Sequence, residues 1–189
     1  MEDYSVKSLM IPIAKYATVP LGTSLADAIL ALETAQEDYT ASKYQHRAIL
    51  VLDKNENVVG KIGQLRALEA IEPDYDFTEI LTDIKNHNFS EEYRAQLRDN
   101  FRSQGPILDK ESLMAVATKK VEEFMQKPKP GEFVAEDNSL DTAIHKLVAG
   151  RLQSLLVTRD DNIVGILRMA DVFAAVFNEI RVFEKDISN

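Results

Sequence analysis

Val6-Lys7-Ser8-Leu9-Met10, near the start of the chain, is answered by Val121-Glu122-Glu123-Phe124-Met125, 115 positions later. The spacing then persists: Val19 matches Val134, Ser24-Leu25 matches Ser139-Leu140, and Ala28-Ile29 matches Ala143-Ile144, each pair keeping its residue identity. Further on, Val59-Gly60 matches Val164-Gly165 at a separation of 105, which leaves the first copy about ten residues longer, around Ala35 to Gln45. Self-similarity at a fixed separation marks a duplicated structural unit.

Within each copy the residues predict the same elements. A short extended stretch, Ala17 to Leu21 or Phe133 to Ala135, leads to a helix announced by Ser24 or Asn138, with Asp27 or Asp141 in its first turn. Leu25, Ala28, Ile29 and Leu32, like Leu140, Ala143, Ile144 and Leu147, recur at i, i+3, i+4 and i+7 and define a core face. Two apolar runs bounded by turn residues follow: Ala48 to Leu52 and Val58 to Ile62 in the first copy, Ser154 to Val157 and Ile163 to Leu167 in the second. A second helix closes each copy, from about Gln64 and about Met169. The fold class is therefore α/β (α+β): two strand-helix-strand-strand-helix repeats, residues 1–72 and 118–189. Residues 73–117 are expected to form a folded helical insert packed on the repeats, a looser linker being the alternative. Its spacing is helical, with Phe77, Ile80, Leu81 and Ile84 on one face and Tyr93, Leu97 and Phe101 on another.

Composition narrows the function classes. The chain has 189 residues, a net charge of −9 and 22 basic against 31 acidic side chains, a balance that repels nucleic-acid phosphates and anionic lipid. It has no cysteine, so disulfides, thiolate metal sites and cysteine nucleophiles are excluded. Val172 to Phe177 is the longest unbroken apolar run, far short of the ~20 residues that span a bilayer. A soluble cytoplasmic protein is expected.

A duplicated unit that begins with an apolar-x-x-apolar-Met segment and ends in Gly-apolar-x-x-x-x-Asp resembles the cystathionine-β-synthase (CBS) domain pair. Val6, Leu9, Met10, Pro12, Thr18-Val19, Leu25, Ala28, Ile29, Leu50 to Asp53 and Val59-Gly60 carry the likeness in the first copy. Val121, Phe124-Met125, Pro128, Val134, Leu140, Ala143, Ile144, Val157 and Val164-Gly165-Ile166 carry it in the second. The resemblance implies two copies packed about a pseudo-twofold axis, with ligand clefts between them, and pairing of modules into a homodimer. It further implies a sensor of AMP, ADP, ATP or S-adenosylmethionine that regulates a separate, unidentified protein partner. Because repeats and insert use nearly the whole chain, a stand-alone module is expected. The alternative is a dimeric interaction scaffold whose clefts no longer bind.

The family's ribose-phosphate signature, Gly-apolar-x-Ser/Thr-x-x-Asp, falls on Gly165-Ile166-Leu167-Arg168-Met169-Ala170-Asp171. Asp171 would accept from the ribose hydroxyls, Arg168 stands where the hydroxyl residue belongs and would grip phosphate, and Phe133 and Val134 would line the base pocket. A second reading makes Asp171 a helix-start acid, Arg168 a solvated charge and Phe133 ordinary core. In the first copy the stretch is Gly60-Lys61-Ile62-Gly63-Gln64-Leu65-Arg66, which lacks both the hydroxyl and the acid, so one nucleotide site is expected at most.

Nothing points to catalysis or to a bound metal. Asp53-x-Asn55-x-Asn57 opens like a calcium loop, but Val58 and Gln64 replace the required Gly and Glu, so a hairpin turn is expected. His46, His87 and His145 lie far apart, without metal-binding spacing, and are expected at the surface. No phosphate loop, nucleophile elbow or dinucleotide fingerprint is present. Val172, Phe173, Val176, Phe177, Ile180 and Phe183 give the last helix an apolar excess suited to a dimer seam.

Overall fold

The computed structural model of the chain describes residues 5–39, 45–71, 90, 92 and 108–187. In the first copy, helix α1 (Val6–Leu9) leads into β1 (Ile11–Pro12), a 3-10 turn (Ile13–Lys15) and β2 (Thr18–Pro20). Helix α2 (Leu25–Asp38), strands β3 (Ala48–Leu52) and β4 (Val58–Gly63) and helix α3 (Gln64–Ile71) complete it. Of the expected helical insert, Lys110–Ala117 is helix α4. The faces built on Phe77 to Ile84 and on Tyr93 to Phe101 lie outside the described residues. The second copy runs α5 (Val121–Phe124), a 3-10 turn (Pro130–Glu132), β5 (Phe133–Ala135), α6 (Leu140–Gly150), β6 (Ser154–Arg159), β7 (Asn162–Arg168) and α7 (Met169–Ile187).

The two sheets repeat each other residue by residue. β2 runs parallel to β3 with Val19 opposite Val51, and β5 runs parallel to β6 with Val134 opposite Val157. β3 and β6 then pair antiparallel with β4 and β7, each ladder irregular at the same place, after Val51 and after Val157. Their hairpins differ. Asp160 and Asp161 both adopt positive φ, as a two-residue turn matching strand twist requires. The longer first turn is closed by Asp53, whose carboxylate accepts from the amides of Asn55 and Asn57 at 2.8 and 2.9 Å. That carboxylate is a turn cap.

Helix starts follow the Ser pair. Ser24 Oγ accepts from the Asp27 amide at 3.1 Å, and Ser139 Oγ accepts from the Thr142 amide at 3.3 Å. The expected Asn138 cap is corrected by one residue: the Asn138 carbonyl instead accepts from the Val6 amide at 3.1 Å. Ile29, read as core, is 40% exposed, while Leu25 and Ala28 are buried.

That Asn138–Val6 bond belongs to a reciprocal exchange between the copies. The lead-in segment of the first copy pairs with the last strand of the second, Ile11 opposite Ile166. Gln126, in the lead-in of the second copy, bridges to Lys61 on β4. Val6 accordingly sits in a core with Val134, Leu140, Leu155 and Leu167, and Val121 in one with Val19, Ala28, Val51 and Ile62. Glycine makes the crossing possible. A Cβ on Gly165 would lie 2.8 Å from the Ile11 carbonyl oxygen, and one on Gly60 would overlap the Met125 sulfur.

Between the sheets lies a third apolar layer, where Ile11, Leu50 and Val58 meet Leu156 and Ile166. Each such side chain contributes roughly 1.5–3 kcal/mol on full burial. This layer holds the two copies together and ends in the clefts considered next.

Candidate functional site

Side chains alternate along β7, so Ile166 faces the inter-sheet layer, Leu167 the helix-side core, and Arg168 the inter-sheet layer again. Arg168 is only 4% exposed. The chain then turns into α7 and brings Asp171 onto the same spot, one helical turn later. Arg168 Nε donates to Asp171 Oδ2 at 2.5 Å and Nη2 donates to Oδ1 at 2.7 Å, a two-pronged pair.

Three aromatic side chains from the first copy close around this pair. The Tyr39 ring, at the end of α2, lies 5.7 Å from the Arg168 guanidinium carbon, within range of a cation–π contact. Tyr16 and Tyr39 in turn hold the His46 ring, with centroids at 4.4 and 4.7 Å. Burial pushes the Tyr16 phenol up to about 12, against the smaller opposing pull of Arg168 and the Arg47 and Ala48 amides. Tyr39 is also raised by burial. The expectation of a surface His46 is corrected: it is 1% exposed, because its place just before β3 turns it into the layer between the copies. His145 is exposed, and His87 lies outside the described residues. A groove of about 450 Å³ shares Tyr16 and is bounded by Thr18 on β2 and Asp27, Ala31 and Thr34 on α2.

Of the residues singled out from sequence, the structure therefore brings Arg168 and Asp171 together and separates the rest. Arg168 is buried, not solvated. Gly165 lies beneath the crossing lead-in segment, where its missing side chain admits Ile11. Phe133 packs half-buried on the inter-sheet layer opposite Leu156. Val134, expected beside it in a base pocket, points the other way into the helix-side core, since neighbours on a strand face opposite sides. Tyr16, Tyr39 and His46 were not read as site residues. Their only local signal is their polarity beside apolar runs.

At the repeat-related end of the layer the residues are different. Gly63 stands where Arg168 does, Gly131 where Tyr16 does, and a methyl group on either would meet nothing within 4 Å. Arg66, in the place of Asp171, pairs with Glu69 at 2.7 Å on the exposed surface of α3. A nearly buried Lys61–Glu132 pair at 3.1 Å links the copies there.

Residues 121–178 match the family model of the CBS domain. The chain contains a CBS domain. Solved structures extend the likeness over both copies and show that the fold is that of a CBS pair. A CBS domain-containing protein from Bacillus anthracis is 19% identical, with a TM-score of 0.60 over 93% of this chain and 94% of that one. A putative acetoin utilization protein (AcuB) from Vibrio cholerae is 18% identical, with a TM-score of 0.58 over 96% of each chain. CBSX2, solved in complex with AMP, is 18% identical, with a TM-score of 0.55 over 93% of this chain and 97% of that one. No curated protein matches the chain. In this CBS pair no described helix is long and apolar enough to cross a membrane.

Proposed function

We propose that this CBS pair is a regulatory module that senses an adenine-containing nucleotide, AMP, ADP, ATP or S-adenosylmethionine, in the cleft beside Asp171 and relays its occupancy to a separate protein. The observation that carries the reading is the meeting of Arg168 and Asp171 with Tyr16 and Tyr39 across the two copies, on the fold in which CBSX2 holds AMP. A carboxylate is an acceptor only, and ribose hydroxyls donate to such oxygens. The guanidinium suits phosphate, and the Tyr39 ring suits a base.

Calorimetry with the four ligands tests it. Asp171→Asn keeps a hydrogen-bonding side chain beside Arg168 and removes the charge; affinity is expected to fall by about 1.5–3 kcal/mol, roughly ten- to a hundredfold. Unchanged affinity places the ligand elsewhere.

A second reading, a dimeric interaction scaffold, is favoured by one observation: Leu65 and Leu68 on α3 and Phe173 and Phe177 on α7 are all about half exposed or more, and the two phenylalanine rings stack at 5.9 Å. Both readings include a homodimer, with the exposed Phe173–Phe177 stack as its seam. Light scattering should show twice the chain mass, reduced to a monomer by Phe177→Asp, which would bury a charge in the seam. If no ligand raises the melting temperature while the dimer persists, the scaffold reading stands and the sensor reading falls.

A further inference from the structure

His46 is the most deeply buried polar side chain among the described residues, and neither of its ring nitrogens has a hydrogen-bond partner there. Buried polar groups are nearly always satisfied, so an exception at a seam calls for a function. The groups around it come from four elements. Tyr16 follows the 3-10 turn, Tyr39 ends α2, Arg168 ends β7, and Asp171 lies in the first turn of α7. Both tyrosines are neutral at physiological pH, and the carboxylate is engaged by the Arg168 fork. Arg47, next in sequence, is exposed. A proton added to His46 would place a second buried cation near Arg168.

We propose that His46 is a pH sensor built into the seam between the two copies: neutral, it fills the space between Tyr16 and Tyr39; protonated, it forces that end of the inter-sheet layer open. Burial, and then the Arg168 charge, hold the ring below its ordinary value of 6.5, with Asp171 opposing more weakly. The unfolded chain therefore takes up this proton more readily than the folded one. Stability is complete above the ordinary histidine range and is lost as pH falls through it toward the folded value. In that window the unfolding constant rises by up to tenfold per pH unit. The inference needs no ligand and stands apart from the nucleotide reading.

Urea unfolding between pH 7.5 and 5.0, on the intact protein and on His46→Phe, reads this directly. The intact protein should lose stability on acidification more steeply than the variant, by up to tenfold in the unfolding constant per unit, and equal slopes overturn the proposal. Should His46→Phe fail to fold, NMR titration of the His46 ring in the intact protein decides. A midpoint below 6.5, accompanied by shifts of the Tyr16 and Tyr39 ring signals, supports the switch. A midpoint at or above 6.5, or silent tyrosines, overturns it.

Discussion

The two ends of the inter-sheet layer were built from one duplicated backbone and now carry opposite chemistry. Around Arg168 the layer ends in a buried ion pair, two tyrosines and a histidine; at the related end it finishes in Gly63, Gly131, an exposed Arg66 and the nearly buried Lys61–Glu132 pair. What the copies share is what any pair with crossed lead-in segments must keep: Gly60 and Gly165 under the crossings, Met10 and Met125 above them, and the Ser24 and Ser139 caps. What they do not share is the polar furniture of the clefts. Duplication preserved the contacts that hold the copies together and left the two ends to diverge, so binding is expected at one end only.

The largest effect should separate the ion pair from its counterpart. Arg168→Ala would leave Asp171 largely buried without the fork that holds it and should cost about 3–5 kcal/mol in chemical denaturation. Arg66→Ala removes an exposed pair one turn apart and should cost no more than about 0.5 kcal/mol. Equal losses would erase the contrast between the ends. It also follows that affinity losses in Arg168→Ala and in Asp171→Asn, each of which removes one charge of the buried pair, must be read against the stability of the same variant.

A smaller effect would sharpen the view that the crossings are shared. Gly165→Ala drives a methyl against the Ile11 backbone, which cannot move without breaking the β1–β7 pairing, and should cost about 1–3 kcal/mol. Gly60→Ala meets the flexible end of Met125, which can swing aside, and should cost less. If Gly60→Ala proved the worse of the two, the second crossing, with its single bridge at Gln126, would be the tighter one.

Much was legible in the linear chain. The 115-residue repeat, the strand and helix order of both copies, and the role of Asp53 all follow from local spacing, because periodicity and turn chemistry act over a few residues. The expectation that Phe133 and Val134 share a base pocket went against a rule that was available in the sequence, since strand alternation alone puts them on opposite faces. Three things depended on tertiary structure. The exchange of lead-in segments, the burial of Arg168 against Asp171 and Tyr39, and the burial of His46 each need groups brought together from both copies. Sequence determined which elements form; packing of one copy against the other decided which polar groups leave water, because burial depends on what lies opposite a side chain.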